Sequence, residues 1–587
     1  MARFSMPRQA SEPRALRHVG VVLRTVLLPL ALSVLFFLSA CSSASLLSGQ
    51  TQGRIPAVAE YDSAAARSAF ASASLLGAKG EYRGAVDVYR QLLKNDPANP
   101  AIHYAMAKGF AALRIIDSAR FHSEKSVQLD PQSAYYLRFL AGICHQMTEY
   151  GRSAELYRKL SELEPGRTEP LTLLALEYLS ADQAEKALEV FQEILKLDPL
   201  NDANKAQVVL LEIKLRHYHD AIDTLKGVVG EGEGKEQLKL TLGELYMQTH
   251  QYDQAFSAIR PLLDENPRFL PAWLELFEVS VQSGNLHAFR EDLDKFYSAP
   301  QIALQQKADI ARLFLSRSSS DTTYTEAASV MIARMCERFS SRSPGYQLRG
   351  LSRLQRKDIA GAVKDFRKAI RLAPHEVSIR EDLVSAKIMQ RDFRAASREI
   401  SSAKRLFPGK KVNFMVLEGE LLFQQGEISR AVALLEKVMM QPAIRKEKRH
   451  FLQAGTTLAL AYDKLGIADK SMRLYEVMLE LDPDNSLMMN NLAFMLAGEG
   501  KNLERARSLA MKAVAADPAN ASYIDTLGWV LFTMGEYEKA RETLEKAAAL
   551  DPREAEILDH LSAVYEKLGN AAKASELREK ARKLGAK

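Results

Sequence analysis

Residues 236–269 read EQLKLTLGELYMQTHQYDQAFSAIRPLLDENPRF and contain a spaced pattern that recurs along the chain. The pattern consists of Leu242-Gly243, Tyr246, Tyr252, Ala255 and Pro267. The same offsets give two further sets, which are Leu174-Ala175, Tyr178, Ala187, Phe191 and Pro199, and Leu527-Gly528, Gly535, Tyr537, Ala540, Ala547 and Pro552. Prolines recur at even intervals, at positions 97, 131, 165 and 199. The sequence is therefore built from tandem units of about 34 residues.

Each unit has the residues that two helices joined by a tight turn require. The small residue at the eighth place, here Gly243, and the one near the twentieth place, Ala255, allow the two helices to approach closely. A turn of the kind Gly535-Glu536-Tyr537 is typical of a helix that ends in a left-handed residue. The closing Asp-Pro is expected to end one helix and start the next, because proline suits a first helical turn.

This pattern resembles the tetratricopeptide repeat (TPR), a helix–turn–helix unit of about 34 residues. The resemblance implies an all-α fold, a right-handed α-α superhelix or TPR solenoid of about fifteen helix pairs. Six regular pairs are expected in residues 66–269, two degenerate pairs in residues 270–342 and seven more in residues 343–587, with an insertion at residues 444–450. Contacts in a solenoid join neighbouring units, so the degenerate pairs form either a hinge or a rigid junction.

The N-terminal region has the composition of an export signal. Residues 1–24 are rich in arginine, and residues 25–40 (TVLLPLALSVLFFLSA) are apolar and uncharged. A membrane-spanning helix takes about 20 apolar residues, whereas a shorter run with a basic flank and small residues at its end is typical of a signal peptide. An uncleaved signal anchor is the alternative. Residues 41–65 follow as a cysteine and a flexible tether rich in Ser, Gly, Thr and Gln.

The run Leu38-Ser39-Ala40-Cys41 resembles the bacterial lipobox, in which an aliphatic residue and two small residues precede a cysteine. In that family the cysteine thiol receives a diacylglycerol, the preceding peptide is removed and the new N-terminus is acylated. The resemblance implies that residues 1–40 are a lipoprotein signal peptide and that Cys41 carries the lipid anchor. Because Ser42 rather than an aspartate follows, it further implies the outer membrane, with the folded body on the periplasmic side.

Composition and charge limit the classes to which the protein can belong. Of the 587 residues, 47% are hydrophobic and 26% are charged, which excludes a wholly disordered chain. Three cysteines cannot form a disulfide scaffold. Outside residues 1–40 the chain has 74 basic and 72 acidic residues, and this balance argues against nucleic acid as a partner.

No motif predicts catalysis, a metal site or a cofactor. Residues 230–235 (GEGEGK) lack the spacing of a phosphate-binding loop, and we interpret them as a lengthened turn. His217 and His219 form a close pair without a third ligand nearby in the sequence. Cys144 and Cys336 occupy core places of their units. We therefore expect a protein that is not an enzyme.

The C-terminal units carry the candidate binding residues. In TPR proteins the first helix of each pair lines a concave groove, in which a peptide binds in extended or helical form. By their places in the repeat, six polar or aromatic residues are expected along one such groove, namely Asn490, Asn491, Asp525, Trp529, Asp559 and His560. Trp, Tyr and Arg most often dominate binding energy, which favours Trp529 as an anchor. The alternative is that several of them are structural, with the Asn pair capping or bridging helices.

This C-terminal set resembles long proteobacterial repeat lipoproteins, some of which hold a periplasmic protease and its substrates together. The resemblance implies a membrane-anchored scaffold for protein or peptide partners, with a protease adaptor as the first function to consider. Two alternatives stay open, an assembly lipoprotein for pili, secretion or exopolysaccharide export and a passive structural factor of the envelope. A clamp for a C-terminal carboxylate is disfavoured, because Lys108 stands alone while Leu140 and Thr172 occupy the next places.

Overall fold

The computed structural model describes residues 64–228, 236–319 and 321–585. Every regular element in these ranges is a helix. Thirty of the described α-helices form fifteen consecutive pairs, a further α-helix of a single turn lies between the eleventh and twelfth pairs, and a short 3-10 helix (Pro408–Lys410) precedes the eleventh pair. The predicted all-α architecture of about fifteen helix pairs is confirmed. The signal peptide, Cys41, nearly all of the tether and the turn at residues 230–235 lie outside the described residues.

The first eight pairs follow one another with short connections. They are α1 (Ala64–Ala78) and α2 (Tyr82–Asn95), α3 (Pro100–Ala112) and α4 (Ile116–Leu129), α5 (Ala134–Gln146) and α6 (Tyr150–Leu163), α7 (Thr168–Ser180) and α8 (Ala184–Leu197), α9 (Asp202–Lys214) and α10 (Tyr218–Lys226), α11 (Glu236–Gln248) and α12 (Tyr252–Glu265), α13 (Leu270–Gln282) and α14 (Leu286–Ser298), and α15 (Leu304–Arg317) and α16 (Tyr324–Arg338).

Seven pairs and the single-turn helix make up the rest of the described chain. They are α17 (Pro344–Gln355) and α18 (Ile359–Leu372), α19 (Val377–Met389) and α20 (Phe393–Leu406), α21 (Lys411–Gln424) and α22 (Ile428–Met439), the single turn α23 (Pro442–Arg445), α24 (Lys448–Lys464) and α25 (Ala468–Leu481), α26 (Ser486–Gly498) and α27 (Leu503–Ala516), α28 (Ala521–Thr533) and α29 (Tyr537–Leu550), and α30 (Ala555–Lys567) and α31 (Ala571–Gly585).

The described residues divide into two compact units at Val279 and Ser280, a division that falls inside α13. Residues 64–279 form one unit and residues 280–585 the other. Each has its own buried core, which in the first includes Leu140, Leu174 and Phe191. In the second, one buried cluster is formed by residues between 416 and 530.

The eighth and twentieth places of the repeat bring the two helices of a pair together. A Cβ atom at Gly528 would lie 2.5 Å from Leu544 Cγ, so a larger residue would force the helices apart. Where serine takes the twentieth place, Ser153 Oγ donates a hydrogen bond to the carbonyl oxygen of Ala141 at 3.0 Å. The small residues read from the sequence are thus the points of closest approach.

In fourteen of the fifteen pairs the turn between the two helices has a left-handed residue at the fifteenth place of the repeat. Half of these turns use glycine, such as Gly535 with φ +83°. Seven others have a residue with a side chain and φ between +53° and +63°, namely Arg114, Thr148, Asp182, Arg216, His250, Lys357 and Arg391. This conformation ends the first helix and returns the chain at the angle that the second helix needs. The repeat therefore keeps the backbone geometry even where the sequence lacks glycine.

The Asp-Pro pairs lie in the turns between units, where they differ from the sequence-based expectation. Pro97 precedes α3 by three residues and sits in the turn, so it is not part of a first helical turn. Asp96 instead accepts a hydrogen bond from Asn99 Nδ2 at 2.9 Å. Asn99 Oδ1 then accepts from the backbone N–H of Ala101 at 3.0 Å and caps α3. These hydrogen bonds therefore link the end of one unit to the start of the next.

The degenerate pairs pack in their own way. Within residues 280–585, the second helices α14 and α16 contact each other directly. Tyr297 in α14 donates a hydrogen bond to the carbonyl oxygen of Met331 in α16 at 3.1 Å. Phe289 and Phe296 are fully buried beside this contact. Aromatic packing thus replaces the small-residue pattern in α14–α16, and whether residues 270–342 act as a hinge stays a prediction.

The first helices of the pairs line the inner side of the second unit. Helices α15, α17, α19, α21 and α24 contact one another in succession, and so do α26, α28 and α30. Second helices in this unit pack closely only at α14 and α16. Rows that lie closer together form the concave side of a curved stack. None of the helices described here has the length and apolar character needed to cross a membrane.

Candidate functional site

The site predicted from the sequence lies on three successive first helices, α26, α28 and α30. Asp525 and Trp529 are four residues apart on α28 and therefore share a face of that helix. His560 projects from the next first helix, α30, and its Nδ1 lies 2.9 Å from Asp525 Oδ1 and 3.0 Å from Asp525 Oδ2. This hydrogen bond joins two repeats and fixes the orientation of the imidazole ring. The sequence thus identified a real constellation of polar and aromatic groups.

An aromatic stack completes this constellation. The His560 ring stacks on Trp529 with centroids 4.3 Å apart and an angle of 20° between the planes. On α28, Phe532 stacks with Trp529 at 4.9 Å and 18°. Phe494 of α26 lies 6.1 Å from the His560 ring. All four residues are partly buried, so a part of each remains accessible to solvent.

The two asparagines of α26 have different environments. Asn491 Nδ2 donates a hydrogen bond to the hydroxyl of Tyr475 at 3.1 Å, which ties α26 to the preceding helix α25. This contact supports the structural alternative for Asn491. Asn490 is buried, and its Oδ1 has no hydrogen-bond partner among the described residues. An unpaired buried carbonyl is costly, and this oxygen is enclosed by its surroundings, so it is not presented to a ligand in this conformation.

Asp559, the sixth of the predicted residues, is exposed beside His560. The structure therefore joins Asp525, Trp529 and His560 by direct contacts, whereas Asn491 is hydrogen-bonded to Tyr475. Trp529 also packs against the buried cluster of residues 416–530, which gives it a structural contribution as well. Phe494 and Phe532, which the sequence analysis did not single out, belong to the same surface.

A second set of polar residues on the first helices α17 to α24 was missed by the sequence analysis. Gln347 Nε2 donates a hydrogen bond to Asp382 Oδ2 at 2.8 Å, joining α17 to α19. Glu381, beside Asp382, accepts from Asn413 Nδ2 at 3.0 Å and lies 3.2 Å from His450 Nε2. His450, at the end of the insertion, is buried. The sequence signal that could have identified these residues is the presence of polar residues inside first helices that are otherwise apolar.

Burial sets the ionisation of these acids. Burial raises the pKa of Asp382. For Glu381 burial acts in the same direction, but hydrogen bonds from His450 and Asn413 outweigh it and hold the pKa of this carboxyl below its ordinary value. Burial raises the pKa of Glu420 to about 7, although its carboxylate accepts a hydrogen bond from Gln453 Nε2 at 2.9 Å. The buried acids of these first helices are therefore held by hydrogen bonds, and their pKa values are shifted in different directions.

The remaining candidates of the sequence analysis have ordinary environments. Cys144 and Cys336 are free and buried, in keeping with core positions. His217 and His219 flank the start of α10, at the turn that precedes it. In the parts of the chain described by the structure, no group of three or more His, Cys, Asp or Glu residues could hold a metal ion.

Comparisons with known proteins agree with this architecture. The profile of the tetratricopeptide repeat matches residues 70–134 and 521–554. A TPR repeat-containing protein of Pseudomonas aeruginosa is 23% identical over 141 residues, which is 24% of this chain and 23% of that protein. The chain therefore spans about a quarter of the length of this relative. TPR repeats are thus present near both ends of the described chain, and such repeats generally form protein-binding scaffolds rather than enzymes.

Two further similarities cover more of the chain. Lipopolysaccharide assembly protein B of Escherichia coli K12 is 22% identical over 271 residues, 43% of this chain and 66% of that protein. Among solved structures, the complex titled Naa15/Naa10 bound to HypK-THB aligns with 88% of this chain and 94% of the other at 15% identity, with a TM-score of 0.43.

Proposed function

We propose that this protein is a lipid-anchored scaffold of the bacterial outer membrane, which faces the periplasm and binds protein or peptide partners on the first helices of its C-terminal repeats. The observation that carries the proposal is the stack of His560 on Trp529, oriented by Asp525 across two repeats. A polar group that orients a partly buried aromatic ring suits the recognition of a peptide side chain. The lipobox-like sequence at Cys41 supports the anchor.

Site-directed photo-crosslinking in cells tests this proposal. A photo-crosslinking amino acid at the position of Asp559, which is exposed beside His560, should attach to a partner that can be identified by mass spectrometry. The matched control is the same amino acid at Glu542, which is exposed on the second helix α29. Equal capture of the same protein from both positions would contradict a partner site on the first helices.

The identity of the captured protein separates the alternatives within this proposal. A periplasmic protease or its substrates would identify an adaptor. A subunit of a pilus, secretion or export system would identify an assembly lipoprotein, an alternative that the similarity to lipopolysaccharide assembly protein B favours. The absence of a stoichiometric partner from both positions would leave the passive structural role.

The anchor has its own test. We expect Cys41→Ser to release the protein from membranes or to stall it as a precursor that still carries residues 1–40, because the thiol is the only group in the lipobox that takes the diacylglycerol. Membrane fractionation and mass spectrometry of the N-terminus measure both results. An unmodified Cys41 at the N-terminus of a membrane-bound wild-type chain would contradict the anchor.

A further inference from the structure

The charge of the chain is segregated, although its total is nearly balanced. Residues 342–411 contain eighteen Lys and Arg residues and seven Asp and Glu residues, a surplus of eleven positive charges. Outside this segment and residues 1–40, acids outnumber bases by nine. This segment forms the ninth and tenth pairs, α17 to α20. An excess of this size in two adjacent repeats produces a strong local positive potential.

The acids of these repeats do not neutralise the cations on the second helices α18 and α20. Asp365, the acid within α18, is buried and accepts hydrogen bonds from Arg349 of α17 at 2.7 and 2.9 Å. Glu399, the acid within α20, pairs with the buried Lys387 of α19 at 3.2 Å. Both acids are therefore satisfied by the first helices, on the inner side of the stack.

The cations of the second helices are exposed to solvent. Lys364, Arg367 and Arg371 follow one face of α18, and Arg394, Arg398 and Arg405 follow one face of α20. All six side chains are exposed, and none has a hydrogen bond or ion pair with any residue that the structure describes. We name these six residues the cationic face.

The two halves of the cationic face are in register. Lys364 and Arg398 are one repeat length apart, as are Arg371 and Arg405, so each pair occupies the same place in its repeat. Helix α19 packs against both α18 and α20 and holds the two rows beside each other. Three other repeats have an exposed acid at the place of Lys364, namely Glu155, Glu189 and Glu542. The repeat pattern therefore does not require a positive charge at this place.

We propose that the cationic face binds the anionic phospholipid headgroups of a membrane surface. The face has several dispersed cations, followed in sequence by the exposed Leu372 and Leu406, and has no exposed Tyr, Trp or Phe, the residues that most often anchor a protein interface. A layer of phosphate headgroups provides a dispersed negative potential that attracts each nearby Lys or Arg, by about fivefold in affinity per cation. The inference rests on the proposed function only for where such a membrane is met, since a lipid anchor would keep the face close to a bilayer.

Vesicle co-sedimentation tests this inference without the anchor. The protein is the chain from residue 41 onward with Cys41→Ser, which carries no lipid and keeps every residue that the structure describes. We expect it to bind vesicles of phosphatidylcholine with phosphatidylglycerol, not vesicles of phosphatidylcholine alone, and to be released by salt. The variant Arg367→Glu, Arg371→Glu, Arg398→Glu and Arg405→Glu should bind at least about tenfold more weakly.

A matched variant separates the cationic face from total charge. Lys159→Glu, Lys196→Glu, Lys512→Glu and Lys546→Glu reverse four exposed cations on second helices of other repeats, with the same change in net charge. This variant should bind anionic vesicles within about twofold of the parent, because its charges lie away from the face. Equal losses in the two variants would overturn the inference.

Two other results would also overturn it. Equal binding of the parent to neutral and anionic vesicles would show that phosphate charge is not recognised. Binding to duplex DNA without binding to phosphatidylglycerol vesicles would assign the face to nucleic acid. Because the assay uses an unlipidated chain and no protein partner, these results are independent of Cys41 acylation and of capture near Asp559, so failure of the proposed function is seen separately.

Discussion

At the residue scale, the inner side of the second unit contains a carboxyl group whose ionisation opposes folding. Glu420 on α21 is buried, and burial raises its pKa to about 7 from 4.5. Its carboxylate accepts one hydrogen bond, from Gln453, and has no cation beside it in an ion pair among the described residues. The protonated form is therefore the one that suits the folded chain near neutral pH.

We predict that Glu420→Gln stabilises the protein at about pH 8 by ~1–3 kcal/mol and leaves it nearly unchanged at about pH 5. The pKa of Glu420 is higher in the folded chain than its ordinary value of 4.5. The wild-type chain therefore keeps its full stability below about pH 4.5, and the contribution of this group is lost as the pH rises through about 7. Glutamine has no charge to bury and should abolish this loss. Urea unfolding at both pH values measures the effect.

The control is Glu418→Gln on the same helix, where the acid is partly exposed and pairs with Lys404. A surface pair of this kind contributes little, so its loss should change stability by less than about 1 kcal/mol at either pH. A stability gain for Glu420→Gln that was equal at both pH values would contradict the assignment.

The places of residues in the repeat could be predicted from the sequence, but their partners could not. The spacing put Asp525, Trp529 and His560 on adjacent first helices, and they do meet. The same reasoning grouped Asn491 with them, yet this side chain turns back to Tyr475. A place in a repeat fixes the direction of the Cα–Cβ bond, whereas the choice between ligand and neighbour depends on rotamers and on the residue across the helix contact.

At the element scale, close packing of the two helices in a pair depends on the twentieth place. Ala187, Ala255 and Ala540 hold this place in three pairs, and all three are fully buried. Repeats that contact only their neighbours should transmit a local defect over a short distance. The helix pair, rather than the whole chain, is then the unit of stability.

We predict that Ala187→Leu, Ala255→Leu or Ala540→Leu each costs ~1–3 kcal/mol, because the added side chain overpacks the contact between helices. Hydrogen exchange should rise in the altered pair and in its immediate neighbours, while distant pairs keep their protection. Ala549→Leu, an exposed change on the same helix as Ala540, is the control and should alter little. A uniform rise in exchange over all described repeats would be incompatible with this view.

The helices could be predicted where the repeat pattern is regular, and less well where aromatic packing takes the place of that pattern. Glycine and proline spacing gave the number of pairs, because close approach and chain reversal need particular residues. Contact between α14 and α16 was not predictable, since it comes from aromatic residues such as Tyr297 that have no fixed place in the repeat. The position of the Asp-Pro pair was predicted wrongly, because the asparagine that donates a hydrogen bond to the aspartate, such as Asn99, was not considered.

At the scale of the whole molecule, the two sides of the second unit differ in how their charged groups are buried and paired. The first helices gather buried acids such as Asp382 and Glu420, and the second helices α18 and α20 carry an unpaired cationic face. The near-neutral total charge concealed this separation, because a sum over the chain does not record where charges lie. A scaffold with one side for a partner and another for a membrane surface would be oriented as well as tethered.

The central claim is that Trp529 is a binding anchor, and a single variant tests it most directly. The affinity of Trp529→Ala for the partner captured near Asp559 should fall by about 2 kcal/mol or more, roughly 30-fold, while helical content is unchanged. Trp273→Ala is the matched control, because Trp273 is buried and donates a hydrogen bond to the carbonyl oxygen of Pro267 at 3.0 Å. That change should lower the melting temperature and leave the affinity intact. Titration calorimetry and thermal unfolding of both variants decide the question, and a destabilised Trp529→Ala protein that binds its partner with wild-type affinity would contradict the account.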